Sequence, residues 1–214
     1  MGNNPFTNQM NALSAMLRQA TAIAHRNAEN RRFVRALLKG QISQAVYARY
    51  LTSLVLGYRV LEDALQRDAH PTHHPFRDPA LYRVAPLIAD IQHYAPRTPP
   101  APVRAAMRWA DHLQQLREDA PVRLLSHLYT RYLGDLSGGQ IIGERLIRVY
   151  GLSDHRGVQF YDFPQIADTN RMKQHLRSGI DAVGASLHEA EQQAVLDEAV
   201  RAFEMSAAIF DDLS

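Results

Sequence analysis

The sequence predicts an all-α fold in a single domain spanning residues 1–214, and three observations carry that prediction. Apolar residues recur at helical spacing, alternating strand patterns are scarce, and the length suits one hydrophobic core. Nine of the 11 prolines fall between Pro71 and Pro121, which assigns loops and shorter helices to that stretch. Residues 6–70, 122–163 and 165–214 contain none, and each is free to carry long helices. Helices are expected near 11–29, 31–38, 43–68, 79–94, 103–118, 121–150, 166–184 and 188–213. In the first, Leu13, Leu17, Ala20, Ala24 and Ala28 keep helical spacing. In the sixth, Leu124, Leu125, Leu128, Tyr132 and Leu136 do the same. Asp119 ahead of Pro121 reads as the start of that helix, and Gly151 as its stop. No internal repeat, low-complexity tract or interdomain linker appears.

Composition removes several function classes. The chain is 46% hydrophobic and 21% charged, which is ordinary for a soluble globular protein. Twenty-four Lys and Arg stand against 22 Asp and Glu, so there is no electrostatic case for nucleic acid despite a pI near 9.0. The absence of cysteine excludes disulfides, thiolate nucleophiles, Cys-ligated iron–sulfur clusters and CxxC heme attachment, and it is compatible with a cytoplasmic protein. Met1–Gln9 has neither a basic region nor an apolar core, so no signal peptide is expected, and Phe6 stands where myristoylation needs Ser or Thr. No apolar run of about 18 residues exists, so no membrane span is expected.

The segment from Tyr129 to Gln140, YTRYLGDLSGGQ, is the most informative. Gly134, Gly138 and Gly139 interrupt a strong helical pattern, and each interior glycine costs about 1 kcal/mol relative to Ala. Two readings compete: a bend or close helix packing, or a flat ligand lying against the backbone where side chains would intrude. Gly134 and Gly138 are four apart and share a face. Elsewhere, Thr21, His25 and Glu29 form an i, i+4, i+8 stripe beside small Ala24 and Ala28. Ten histidines are too many to select from by composition, and a single helical His is more often a surface or structural residue. Arg18, Lys173 and Arg177 taken alone read as solvated basic faces.

The run from His127 to Gln140, HLYTRYLGDLSGGQ, resembles the signature that heme oxygenases carry on the helix above the heme. Leu17–Asn30, LRQATAIAHRNAEN, is similar to that family's first helix, whose histidine binds the heme iron. The likeness extends through most of the chain. It implies a multi-helical fold holding heme b between a proximal and a distal helix. It further implies oxidative cleavage to biliverdin, mainly the alpha isomer, with CO and Fe(II), using O2.

By the same resemblance His25 is the axial ligand, and Glu29 accepts its other ring N–H and fixes the ligating tautomer. Arg18, Lys173 and Arg177 hold the propionates, while Thr21, Tyr129, Phe203 and Phe210 contact the macrocycle. Asp135 acts through ordered water, Tyr58 belongs to the same network, Gly134 and Gly138 leave room above the iron, and Arg131 is placed to pair with Asp135 one turn on. His127 carries no iron bond and reads as structural. The chain departs from the family at Ala22, where some relatives have Lys, and at Trp109 and Ser206, which align with Tyr and Asn; a Trp donates but cannot accept a hydrogen bond. No Gly-rich dinucleotide motif follows a strand, so electrons come from a separate donor such as ferredoxin, flavodoxin or a flavin reductase. The chain is expected to act as a monomer. Two other classes remain: a heme carrier that does not degrade its ligand, and a non-heme relative of the same fold.

Overall fold

The local sequence sets where each helix starts and stops. The computed structural model describes residues 12–68, 70–95 and 97–214. The expected start at residue 11, the segment Met1–Gln9 and Phe6 lie outside the described residues. Among these residues there are nine α-helices and no strand: α1 (Leu13–Glu29), α2 (Arg32–Lys39), α3 (Gln44–Arg67), α4 (Val84–Tyr94), α5 (Arg104–Asp119), α6 (Leu124–Gly134), α7 (Gln140–Tyr150), α8 (Thr169–Ser186) and α9 (Glu189–Asp212). Ser43 opens α3 by accepting a hydrogen bond from the Val46 N–H at 3.3 Å. Gly151 ends α7 in the left-handed region, at φ +63°.

Three expectations shift. The helix expected from residue 79 begins at Val84, because Pro79–Leu81 forms a separate 3₁₀ turn that the Asp78 side chain caps through the Ala80 N–H. The helix expected from 166 begins at Thr169, where Asp168 accepts from the Asn170 and Arg171 N–H groups at 2.9 and 3.0 Å. The long helix expected over 121–150 is a 3₁₀ turn at Pro121–Arg123, then α6, a π-helical turn at Asp135–Gly139, and α7. Its backbone stays right-handed across both joints. One face of this rod is pressed against the Gln159–Tyr161 turn: a Cβ on Gly139 would lie 3.2 Å from the Tyr161 ring, and one on Gly143 only 2.9 Å from the Tyr161 Cβ.

The core places the site. Leu17, Leu51, Leu54, Tyr58, Leu128 and Tyr132 join one buried apolar cluster with residues from the other helices. The last helix, α9, runs along α1 and also packs on α5 and α6, so it touches both walls of the region where the site residues gather. At Gly57 a Cβ would lie 2.1 Å from the Trp109 ring, so that glycine lets the indole rest directly on the α3 backbone.

Candidate functional site

Two helices supply the walls. On α1, Leu13, Leu17, Thr21 and Ala28 are buried and fix the helix to the core, which turns His25 outward with its side chain half exposed. Its Nδ1 lies 3.3 Å from a Glu29 carboxylate oxygen. The ring meets Phe203 of α9 edge-on at 5.2 Å between centroids. Among the described residues its Nε2 has no hydrogen-bond partner, so an imidazole nitrogen is held in orientation with its lone pair available.

The second wall is the α6–π segment. A Cβ added to Gly134 or Gly138 meets nothing within 4 Å, whereas at Gly139 and Gly143 it meets Tyr161. The close-packing reading therefore holds for the latter two glycines only. Gly134 and Gly138 border open space that no protein atom requires, which is the condition for a flat ligand to lie against them. The bend reading has content too, since the π turn covers Asp135–Gly139.

Behind that face stands a buried polar network. The Tyr58 hydroxyl donates to Asp135 Oδ2 in a short hydrogen bond, and Arg131 Nε donates to the Tyr58 oxygen at 3.2 Å. Arg131 Nη1 also reaches Ser206 Oγ at 3.4 Å. The guanidinium lies 5.4 Å from the Tyr58 ring and 5.5 Å from the Trp109 ring. Burial pushes the Asp135 carboxyl up, opposed by the Arg131 charge and by the Tyr58 hydrogen bond. Burial also pushes the Tyr58 hydroxyl well up. Arg131 stays charged: burial works against it, but Tyr58, Asp135 and Tyr50 together raise it. The expected direct Arg131–Asp135 pair is absent among the described residues, because Tyr58 stands between them and relays the contact.

At the edge, α1, α6 and α8 meet. Burial raises the Tyr129 hydroxyl, while its polar contact with Thr21 and the charges of Arg177 and Arg18 lower it. Thr21 Oγ1 donates to Leu17 O at 2.7 Å. Arg18, Lys173 and Arg177 form no ion pair among the described residues. Phe210 stacks on Phe33, with 5.8 Å between centroids and planes within 10°, and also touches Tyr50 at 6.2 Å.

Sequence reading missed one node. Glu198 of α9, fully buried, receives His112 and His127 on Oε1 at 2.7 and 2.9 Å and Arg123 on Oε2. Its members lie 71 to 86 residues from Glu198 with no local pattern joining them, so the sequence marked only His127, as structural, and not the partners it meets.

A model of the family described as heme oxygenase matches residues 11–212. Heme oxygenase 2 of Mus musculus is 34% identical over 211 residues, covering 96% of this chain and 66% of the mouse protein. The heme oxygenase of Pyropia yezoensis is 32% identical over 96% of this chain and 87% of its own length. Among solved structures, Leptospira interrogans heme oxygenase matches with a TM-score of 0.87 at 32% identity, covering 93% of this chain and 98% of that one. Synechocystis heme oxygenase-1, solved in complex with heme, gives 0.89 at 31% identity over 95% and 92%. The chain belongs to the heme oxygenase family. It spans 66% of the length of heme oxygenase 2 from Mus musculus and Rattus norvegicus, just under two thirds. No helix among the described residues is long and apolar enough to cross a membrane.

The Glu198 node contributes to stability in acid. Its partners hold the carboxyl down at about 2, from an ordinary 4.5, against the opposing effect of burial. A depressed carboxylate contributes stability that is complete above the unfolded value and is lost as pH falls toward the folded one. Wild type should therefore lose on the order of 3 kcal/mol between about pH 4.5 and 2 that Glu198→Gln does not lose, as chemical denaturation at each pH will read.

Proposed function

We propose that the chain, acting as a single cytoplasmic domain and a monomer, binds heme b between α1 and the α6–π segment and opens it to biliverdin, CO and Fe(II). The observation that carries this reading is the pairing of a half-exposed, Glu29-oriented His25 with a helix face cleared at Gly134 and Gly138. Heme, when bound, supplies the iron that takes O2 and the macrocycle that is oxidised. Everything else falls to the protein's own groups.

His25 offers Nε2 to the metal, because Glu29 beside Nδ1 favours the tautomer with the proton there. Phe203 steadies the ring from the side. Arg18, Lys173 and Arg177 supply positive charge for the two propionates, each contact worth about 1 kcal/mol after solvent screening. Those contacts would set how a bound heme is turned within the pocket, and with it the alpha isomer. The distal face presents backbone and space rather than a basic side chain. Asp135 holds a proton position behind that face, with Tyr58 donating to it and Arg131 held one step further away. Its raised affinity for protons suits a group that would pass them through ordered water to the distal side of a bound heme. Electrons come from a separate protein or flavin donor of low potential, such as a ferredoxin, a flavodoxin or a flavin reductase.

Reduced heme under air separates this function from simple carriage. The enzyme should convert the heme spectrum to that of a bilin and release CO, whereas a carrier holds the heme or bleaches it slowly.

In His25→Ala the histidine-ligated heme spectrum should vanish and return on addition of free imidazole. An unchanged ferrous–CO spectrum with normal turnover would assign the ligand to another residue.

Asp135→Asn should keep heme affinity within about twofold while ring opening falls by about a hundredfold, the scale of one positioned proton donor. Single-turnover spectra and a peroxide assay read both. Biliverdin at the wild-type yield in this variant removes Asp135 from proton delivery.

A further inference from the structure

The Glu198 node has the residue types of a metal site. His112, His127 and Glu198 each offer one ligand atom, and these atoms lie within 4.8 Å of one another. Two imidazoles with a carboxylate suit zinc or ferrous iron. A hydrogen bond from Trp109, on α5 with His112, decides otherwise. Trp109 Nε1 donates to His127 Nδ1 at 3.2 Å, and an indole nitrogen donates only. His127 Nδ1 is therefore an acceptor without a proton, and its proton sits on Nε2, where it is given to Glu198 Oε1 at 2.9 Å. A metal on Nε2 would move that proton to Nδ1, setting an N–H against the indole N–H in a fully buried site. The three residues stay a hydrogen-bonded set.

What the set accomplishes follows from where Trp109 sits. Its ring lies on the α3 backbone at Gly57, meets Tyr58 edge-on at 6.3 Å, and forms one of the two aromatic faces beside the Arg131 guanidinium. The donor and acceptor sense is fixed at each step from Glu198 to the indole. We propose that His127 is a positioning residue of the distal network: anchored by Glu198, it holds the Trp109 indole, which in turn holds Arg131 against Tyr58. This rests on the heme-cleaving reading for its consequence in turnover, but not for its geometry. It also accounts for how the chain functions with Trp at this position, since the indole is wired backward to His127 instead of forward into the water network.

Nitrogen-15 spectra of the apoprotein should show His127 as the neutral Nε2–H tautomer, unchanged by one equivalent of zinc. A Nδ1–H tautomer, or zinc bound through His127, overturns the proposal. Glutamine carries one acceptor and one donor at a spacing like that of the imidazole nitrogens, and leucine carries neither. His127→Leu should displace the Arg131 Nε–H resonance in the apoprotein and lower the rate of heme conversion on the order of tenfold at unchanged heme Kd. His127→Gln should restore both. If His127→Leu does not fold, Trp109→Phe deletes the same hydrogen bond and should give the same displacement and loss. A leucine or phenylalanine variant with the wild-type Arg131 resonance and rate removes His127 from positioning. Failure of the wild type itself to cleave heme would instead sink the proposed function, while the tautomer and the Arg131 resonance would still decide this inference.

Discussion

One helical segment must be packed hard on one face and left bare on another, and most of the site follows from that constraint. Gly139 and Gly143 bring the α6–α7 rod against Tyr161, and Asp135 is buried toward Tyr58. Gly134 and Gly138, on the same rod, border open space. Interior glycines on the bare face are a stability cost with no packing return, each about 1 kcal/mol relative to Ala. A cost carried without structural need marks a surface reserved for something else. The π turn lies within this segment.

Two buried carboxylates show how the same chemistry is tuned in opposite directions. Asp135 receives a neutral hydroxyl, with the Arg131 charge one contact away, and burial prevails, so its proton affinity rises. Glu198 receives Arg123 and two histidine N–H donors, and the two histidines outweigh burial. The number and charge of direct donors help to separate them. The first is suited to exchange a proton beside the cleared face. The second is a fixed anion that ties α5, α6 and α9 together, and it shares α9 with Phe203 and Ser206, so both walls of the site are referenced to one helix.

Much of this was legible in the chain because it is local. Helix positions followed from apolar spacing and proline placement, and the unusual glycines from their interruption of a helical pattern. The Thr21, His25 and Glu29 stripe needed only helical geometry, and its meaning came from the resemblance. What escaped was long-range or dependent on an extra hydrogen-bond step. The route from Arg131 to Asp135 through Tyr58 crosses 73 and 77 residues, so helical spacing alone suggested a direct pair. Glu198 and its partners leave no periodic trace. The late starts of α4 and α8 reflect side-chain capping by Asp78 and Asp168, which competes with helix continuation at those positions.

The central claim is that Gly134 and Gly138 are kept bare for a ligand rather than for the fold, and Gly134→Leu tests it most directly. Unfolding free energy of the apoprotein and hemin affinity are measured on the same preparation. The account predicts an apoprotein as stable as wild type or more so, by up to about 1 kcal/mol, because a Cβ there meets no protein atom within 4 Å and leucine favours the helix. It also predicts hemin binding weakened by at least about tenfold, or 1.4 kcal/mol. A destabilised apoprotein that still binds hemin at the wild-type affinity would contradict it.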